Sequence, residues 1–510
     1  MGDKKLKEDI LISYIAIIVP IIITFFLVRM ETKYLGRELY GIYSLVNSTI
    51  GYIAILDLGV GQTITRYVAQ YRAENKKDKI QQIAGHSFKS YLKIVIVGLV
   101  IGLFLIVNSK GIFRSLSDDN VALFQICLFI ALINVLLQIP SATFASILSG
   151  YKYFKVLKGM NLFRSIARSI CIVILLNIKC DVILMFIIDL TINQCINIFN
   201  YMFVRRKLGI KLNFTPIDKN LKRELKGYSF FVFLGIITDQ IFWRTDGILL
   251  GMMSTTSVVA VYAISSQIIT YYMNLCSTFS SVFLPRIIDK ITMGQGNSEI
   301  NKFFIKASRY QFMFVGIILT SYIFLGKEFI VLWLGNNYEN AYYYGLLIMI
   351  SLTVPMFQTT GYQILYAMKK HKVRSIIYLF NAIGNIILSI FLFKIIGPIG
   401  VALSTAIAMI IGNTIFMNIY YRKTLQLNLF EFFKKTCFKT GIVMIIISCL
   451  YCIVNQYLQG SWIIFITKAV IINVTYIILI VKISFNEYER NTIRNIFYKI
   501  FRIQAKVKTN

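Results

Sequence analysis

The sequence predicts an all-α polytopic membrane protein of about 14 transmembrane helices. They form two six-helix lobes related by a parallel repeat, plus two extra C-terminal helices. Three observations carry this reading. The chain is 57% hydrophobic and 15% charged, where a soluble domain is nearer half apolar and a quarter charged; its mean hydropathy is +0.68. Apolar runs of helical length recur near 10–28, 39–65, 90–108, 121–149, 157–178, 182–204, 227–251, 257–285, 308–326, 341–367, 374–393, 398–421, 437–455 and 461–481, each close to the roughly 20 residues that a span requires. The basic residues collect in alternate loops.

An even number of spans places both termini on one side. Segments on that side hold 41 of the 54 Lys and Arg residues. The opposite loops hold 7: Lys33, Arg37, Lys110, Arg114, Lys179, Lys327 and Lys394. The remainder, Arg29, Arg66, Arg164, Arg168, Arg244 and Lys468, lie within spans. Lys and Arg concentrate in cytoplasmic loops, so both termini are expected in the cytoplasm. The net charge of +31 is then an orientation signal, and no nucleic-acid partner is needed to explain it.

The uncharged stretch from Ile10 to Val28 is too long for a signal-peptide core and lacks a cleavage site, so it reads as a retained first span. Strand alternation is absent, which argues against a β-barrel. Most of the eight cysteines lie inside apolar runs; the single CxxC spacing, Cys449-Leu450-Tyr451-Cys452, falls inside a helical apolar run, its two thiols one turn apart. No zinc or disulfide framework is expected. His86 and His371 read as residues of basic loops, so neither a histidine triad nor a metal site is expected. The outer loops near 109–120 and 327–340 span roughly a dozen residues, too short to host catalysis, so the chain reads as a non-enzyme without a cofactor.

The expected organisation is an N-lobe over 1–205, a basic cytoplasmic linker over 206–226 and a C-lobe over 227–422. Helices 13–14 follow over 423–483, then a cytoplasmic tail over 484–510. Eight basic residues fall between Arg205 and Lys226. In the tail, Ile493, Ile496, Phe497, Ile500 and Ile503 recur at helical spacing among Arg494, Lys499 and Arg502. That pattern fits an amphipathic helix on an anionic leaflet or a solvated basic tail.

The repeat rests on two stretches. Arg29 precedes Leu35-Gly36 and Arg244 precedes Leu250-Gly251, in each case with the Arg seven residues before the Gly and a tyrosine, Tyr43 or Tyr262, in the following span. Six spans per half make the copies parallel, which predicts a site between two lobes.

Both arginines reach the outer third of the bilayer at 1.5 Å per residue. An arginine there costs roughly 2.5–3.5 kcal/mol unless water or a partner receives it. It therefore lines a cavity or snorkels to the interface. Asp239 and Asp246 are seven apart and share a helix face, with Arg244 on the other side; either the arginine or the aspartates face a cavity. Asp57 lies deep in the second span and Arg66 near its inner end, a relay, a gate or a packing salt bridge. Arg164 and Arg168 form an i,i+4 pair that extends a basic wall or snorkels. Lys468, and Asp189 with Asn193, read as structural. Pro20, Pro140, Pro285 and Pro355 fall within spans, where they kink helices.

Several motifs then combine. Leu35-Gly36, Tyr40-Gly41-Ile42-Tyr43, Leu56-Asp57-Leu58-Gly59 and Arg66-Tyr67-Val68-Ala69 lead; Arg244-Thr245-Asp246, Leu284-Pro285-Arg286, Leu332-Trp333-Leu334-Gly335 and Gly397-Pro398-Ile399-Gly400-Val401-Ala402 follow. In this order they resemble the polysaccharide-transporter, O-antigen-type flippase branch of the multidrug/oligosaccharidyl-lipid/polysaccharide exporter superfamily. The resemblance implies a multi-pass protein of the bacterial cytoplasmic membrane. It implies alternating access and an undecaprenyl-pyrophosphate-linked oligosaccharide as substrate. It also implies membrane lipids, and a polysaccharide polymerase or glycosyltransferases, as partners. Arg29 and Arg244 look similar in position to arginines that meet pyrophosphate in lipid II flippases. Met30 and Glu31 after Arg29 depart from the Arg-Asp pair of that branch, and the last two helices exceed the twelve of many O-antigen flippases. Coupling to an ion gradient or to the membrane potential stays open. The candidate substrate residues are thus Arg29, Arg244, Asp57, Asp239, Asp246, Arg66, Arg164 and Arg168. The rival expectations are an ion-coupled drug or small-molecule exporter of the same superfamily, an integral membrane glycosyltransferase or polymerase, and a non-transporting scaffold.

Overall fold

A computed structural model describes residues 3–491, except 115, 179–180, 282–286, 288, 292, 295, 369, 371, 458–460, 486 and 488. Side chains of 3–18 and of scattered positions within 219–235, 278–281, 372 and 452–457 are not described. Pro285, Arg286, His371 and the amphipathic pattern of the tail lie outside the described residues.

Every regular element among the described residues is helical, as apolar runs of this length require. The helices are α1 (Asp3–Ala54), α2 (Val60–Ala73), α3 (Lys77–Val107), α4 (Ser109–Ile112), α5 (Asp118–Gly150), α6 (Phe154–Ile178), α7 (Val182–Lys207), α8 (Lys219–Met253) and α9 (Thr256–Ser281). There follow α10 (Asn297–Leu334), α11 (Asn340–Phe357), α12 (Thr359–Ala367), α13 (Lys372–Ile396), α14 (Ile399–Ala408), α15 (Met417–Leu425), α16 (Leu429–Tyr457) and α17 (Trp462–Leu479). Eleven segments are long and apolar enough to cross a membrane, one of them the 55-residue stretch Val19–Ala73, in which the sequence reads two spans. With α8 and α16, the described residues supply the expected set.

Helix exteriors are apolar rather than charged. Ile96, Val100 and Phe104 recur four apart on α3 and are 64%, 63% and 61% exposed. Water would penalise such a stripe, whereas lipid accepts it, so the chain is a multi-pass membrane protein.

Two compact units result: Met1–Ile264 with Ala382–Ser404, and Ser265–Asn381 with Thr405–Asn510. In the first, α1 packs against α5, α6 and α8, and α5 against α3 and α7. Its core joins Ile64, Val68, Ile80, Ala84 and Tyr91 to Phe144, Ile147 and Leu148. In the second, α10 packs against α11, α16 and α17, around Met313, Leu325, Val443, Ile447, Ile472 and Tyr476. There Lys468 is 1% exposed, and its Nζ lies 2.7 Å from Glu328 Oε2, the structural role its sequence position suggests.

Glycines fix two close features. Gly36 takes φ +70° and kinks α1 between its two spans, a conformation L side chains rarely adopt. A Cβ on Gly251 would lie 2.4 Å from Leu45 Cδ1, so here glycine admits a neighbouring helix. The repeated Leu-Gly therefore serves a bend in one copy and a contact in the other. His86 lies inside α3, not in a loop as its basic surroundings suggest.

Candidate membrane-embedded charged site

The first unit holds most intramembrane charges. Arg168 on α6 is half-buried and meets two acids. Its Nε donates to Asp189 Oδ1 on α7 at 2.7 Å, and an Nη lies 3.4 Å from Glu31 Oε1 on α1. The same guanidinium donates to Tyr43 Oη at 2.5 Å, and the Tyr43 ring packs on Phe186 at 5.3 Å. Glu31 is 3% exposed. A buried carboxylate is costly unless paired, and the shared guanidinium supplies that pairing. Asp189, which the sequence associates with Asn193, thus finds its charge partner on another helix. Glu31 is a site residue that the candidate set omits; its only sequence signal is an acid two residues after Arg29.

Arg164, one turn before Arg168, is exposed, and among the described residues no carboxylate lies within ion-pair distance of it. Arg29 is exposed on α1, seven residues before the Gly36 kink.

Arg244 on α8 is also exposed. A Cβ on Gly51 would sit 3.5 Å from its Nε, so the missing side chain lets the guanidinium lie along α1. Beside it, Tyr52 Oη and Thr245 Oγ1 share a hydrogen bond. Among the described residues no carboxylate pairs with Arg244. Asp246, two residues on, is buried and accepts from Tyr262 Oη on α9. Asp239 is exposed. The seven-residue spacing puts the two aspartates on one helix face, yet their surroundings differ: Tyr262 covers one of them.

Asp57 closes the 3-10 turn Ile55–Asp57 and accepts from Tyr91 Oη on α3. Leu58 and Gly59 follow at φ 51° and 69°, so the second span breaks there and α2 starts anew. Arg66 is exposed on α2, its guanidinium 5.9 Å from the Tyr67 ring centroid.

The structure thus brings Arg168 together with Glu31, Asp189 and Tyr43. It keeps Arg244 by itself on an exposed face, and gives Asp57 and Asp246 tyrosine partners. No group of three or more His, Cys, Asp or Glu side chains able to hold a metal occurs among the described residues.

Lipid-facing helices with charges paired between them define a polytopic membrane protein. Residues 6–290 match the polysaccharide biosynthesis protein family, and the chain belongs to that family. No curated protein shows significant sequence similarity to the chain. Among solved structures, an inward closed conformation of the lipid II flippase MurJ superposes with a TM-score of 0.72 at 17% identity, covering 92% of this chain and 98% of that one. An inward-facing multidrug resistance MATE transporter of the MOP superfamily gives 0.64 at 13% identity, covering 79% and 94%. A MOP superfamily transporter from Pyrococcus furiosus, described as having a binding pocket of reverse polarity, gives 0.51 at 13%, covering 80% and 95%. The fold is that of the MOP superfamily, as the sequence resemblance implies.

Proposed function

We propose that this chain flips a polyprenyl-pyrophosphate-linked oligosaccharide of undecaprenyl type across the bacterial cytoplasmic membrane by alternating access, for cell-surface polysaccharide synthesis. Arg244 carries the proposal: it is a guanidinium at membrane depth, laid over Gly51, with no carboxylate partner among the described residues. A guanidinium in that state is costly in lipid, and it matches a pyrophosphate bidentately. Arg29 acts as its counterpart, and Arg164 and Arg66 add positive potential. Asp57, Asp246 and Asp239, with Arg168 in its acid pair, shape the helices that present them. No bond is broken, so no nucleophile is required. Family membership supports the reading.

The second reading is an ion-coupled exporter. One observation favours it: Glu31 and Asp189 share a single guanidinium, an acid excess suited to a coupling cation.

Gene deletion in the host tests the proposal. Surface polysaccharide should disappear while its lipid-linked precursor accumulates, and wild type but not Arg244→Ala should restore it. An unchanged surface would contradict the reading.

A further inference from the structure

The basic linker is no free tether. A Cβ on Gly85 of α3 would lie 2.0 Å from the backbone oxygen of Asn213. The Asn213 amide donates to the Gln81 carbonyl at 3.1 Å. Glycine at 85 therefore lets the linker lie directly on α3, where a backbone bond holds it.

This contact walls a cavity of about 670 Å³. Four chain segments line it. From α3 come His86, Lys89, Ser90 and Lys93, whose i, i+3, i+4, i+7 spacing puts them on one face. From α8 come Lys222 and Ser229; Thr63 of α2 bonds Ser229 across the floor at 2.7 Å. The linker contributes Phe214 and Thr215. Among the described residues that line it, none is a carboxylate. Nor does any described carboxylate pair with Lys89, Lys93 or Lys222. Lys89, Lys93 and Lys222 come from two helices and line one cavity.

We infer that this cavity binds a phosphate-bearing headgroup, with Lys89, Lys93 and Lys222 as the cationic contacts. Lysine is a point-charge phosphate ligand. Lys93 stands at the start of the apolar part of α3, so the site lies at headgroup level on the side where basic residues concentrate. The inference is independent of the Arg244 site.

The test uses full-length protein in zwitterionic nanodiscs, with Phe214→Trp as reporter. Inorganic pyrophosphate and farnesyl pyrophosphate are titrated separately. Farnesyl pyrophosphate should shift the reporter emission. The variant Lys89→Gln/Lys93→Gln/Lys222→Gln should weaken that response at least roughly tenfold, as expected for lost charge-assisted bonds. A response to pyrophosphate of equal strength identifies a soluble phosphate as the occupant and still supports the site; a response to the farnesyl compound alone assigns it to a lipid. Neutralising Lys155, Lys158 and Lys211 removes equal charge from the same side. If that control weakens the response as much, or if neither anion moves the reporter, the site is overturned.

Discussion

Arg168 and Asp189 stand 2.7 Å apart on neighbouring helices α6 and α7, with the buried Glu31 of α1 on the same guanidinium. One cation therefore joins three helices. Removing it leaves two carboxylates facing each other in a low-dielectric interior, a loss that costs about 3–5 kcal/mol in buried pairs. Arg168→Met is expected to lower the apparent Tm in detergent sharply, and Arg164→Met far less. Equal shifts would show that the cluster is not a structural tie.

The Lys468–Glu328 pair should behave non-additively. Lys468→Met strands Glu328 and destabilises the protein. The double variant Lys468→Met/Glu328→Gln removes both charges and should recover most of the loss, since replacing a buried pair is often neutral. Thermal unfolding of the two singles and the double gives the coupling; additive losses would contradict it.

Gly85→Ala and Gly36→Ala should differ. The added methyl at 85 meets backbone and must push the linker off α3. At 36 it meets nothing within 4 Å, and its cost is the positive-φ backbone conformation alone, about 1–3 kcal/mol. Hydrogen exchange at the Asn213 amide should accelerate in Gly85→Ala and stay as in wild type in Gly36→Ala. Protection retained in both would contradict a strapped linker.

The charge distribution predicts sidedness. In a cysteine-free background, Asn336→Cys should react with a membrane-impermeant maleimide in intact cells. Ser298→Cys should react only after permeabilisation. The reverse pattern would invert the topology.

The spans were legible because lipid demands long apolar runs, and each run reads as a helix whatever its neighbours. The breaks were less so. The turn at Leu58-Gly59 interrupts a continuous apolar run, and Gln358 divides another between α11 and α12. Hydropathy does not register a backbone bend inside such a run. Charge partners were least legible. Arg168 meets Glu31 across 137 residues of sequence, a pairing set by helix packing that no local spacing records. Asp239 and Asp246 share a helical face by period, yet only Asp246 meets Tyr262. The linker's basic charge was visible; its seat on Gly85 was not, because a glycine within a helix says nothing of which backbone will approach it.

Movement of a lipid-linked glycan at Arg244 is measurable as transport in proteoliposomes. Liposomes carrying the purified protein and a labelled polyprenyl-pyrophosphate oligosaccharide are followed for sugar accessibility on each side. Exchange between leaflets is expected with wild type, its loss in Arg244→Ala, and partial retention in Arg244→Lys, which keeps the charge without the bidentate fork. Exchange at the wild-type rate in Arg244→Ala would remove the arginine from the mechanism. No exchange by folded wild type across several glycans would contradict the flippase itself.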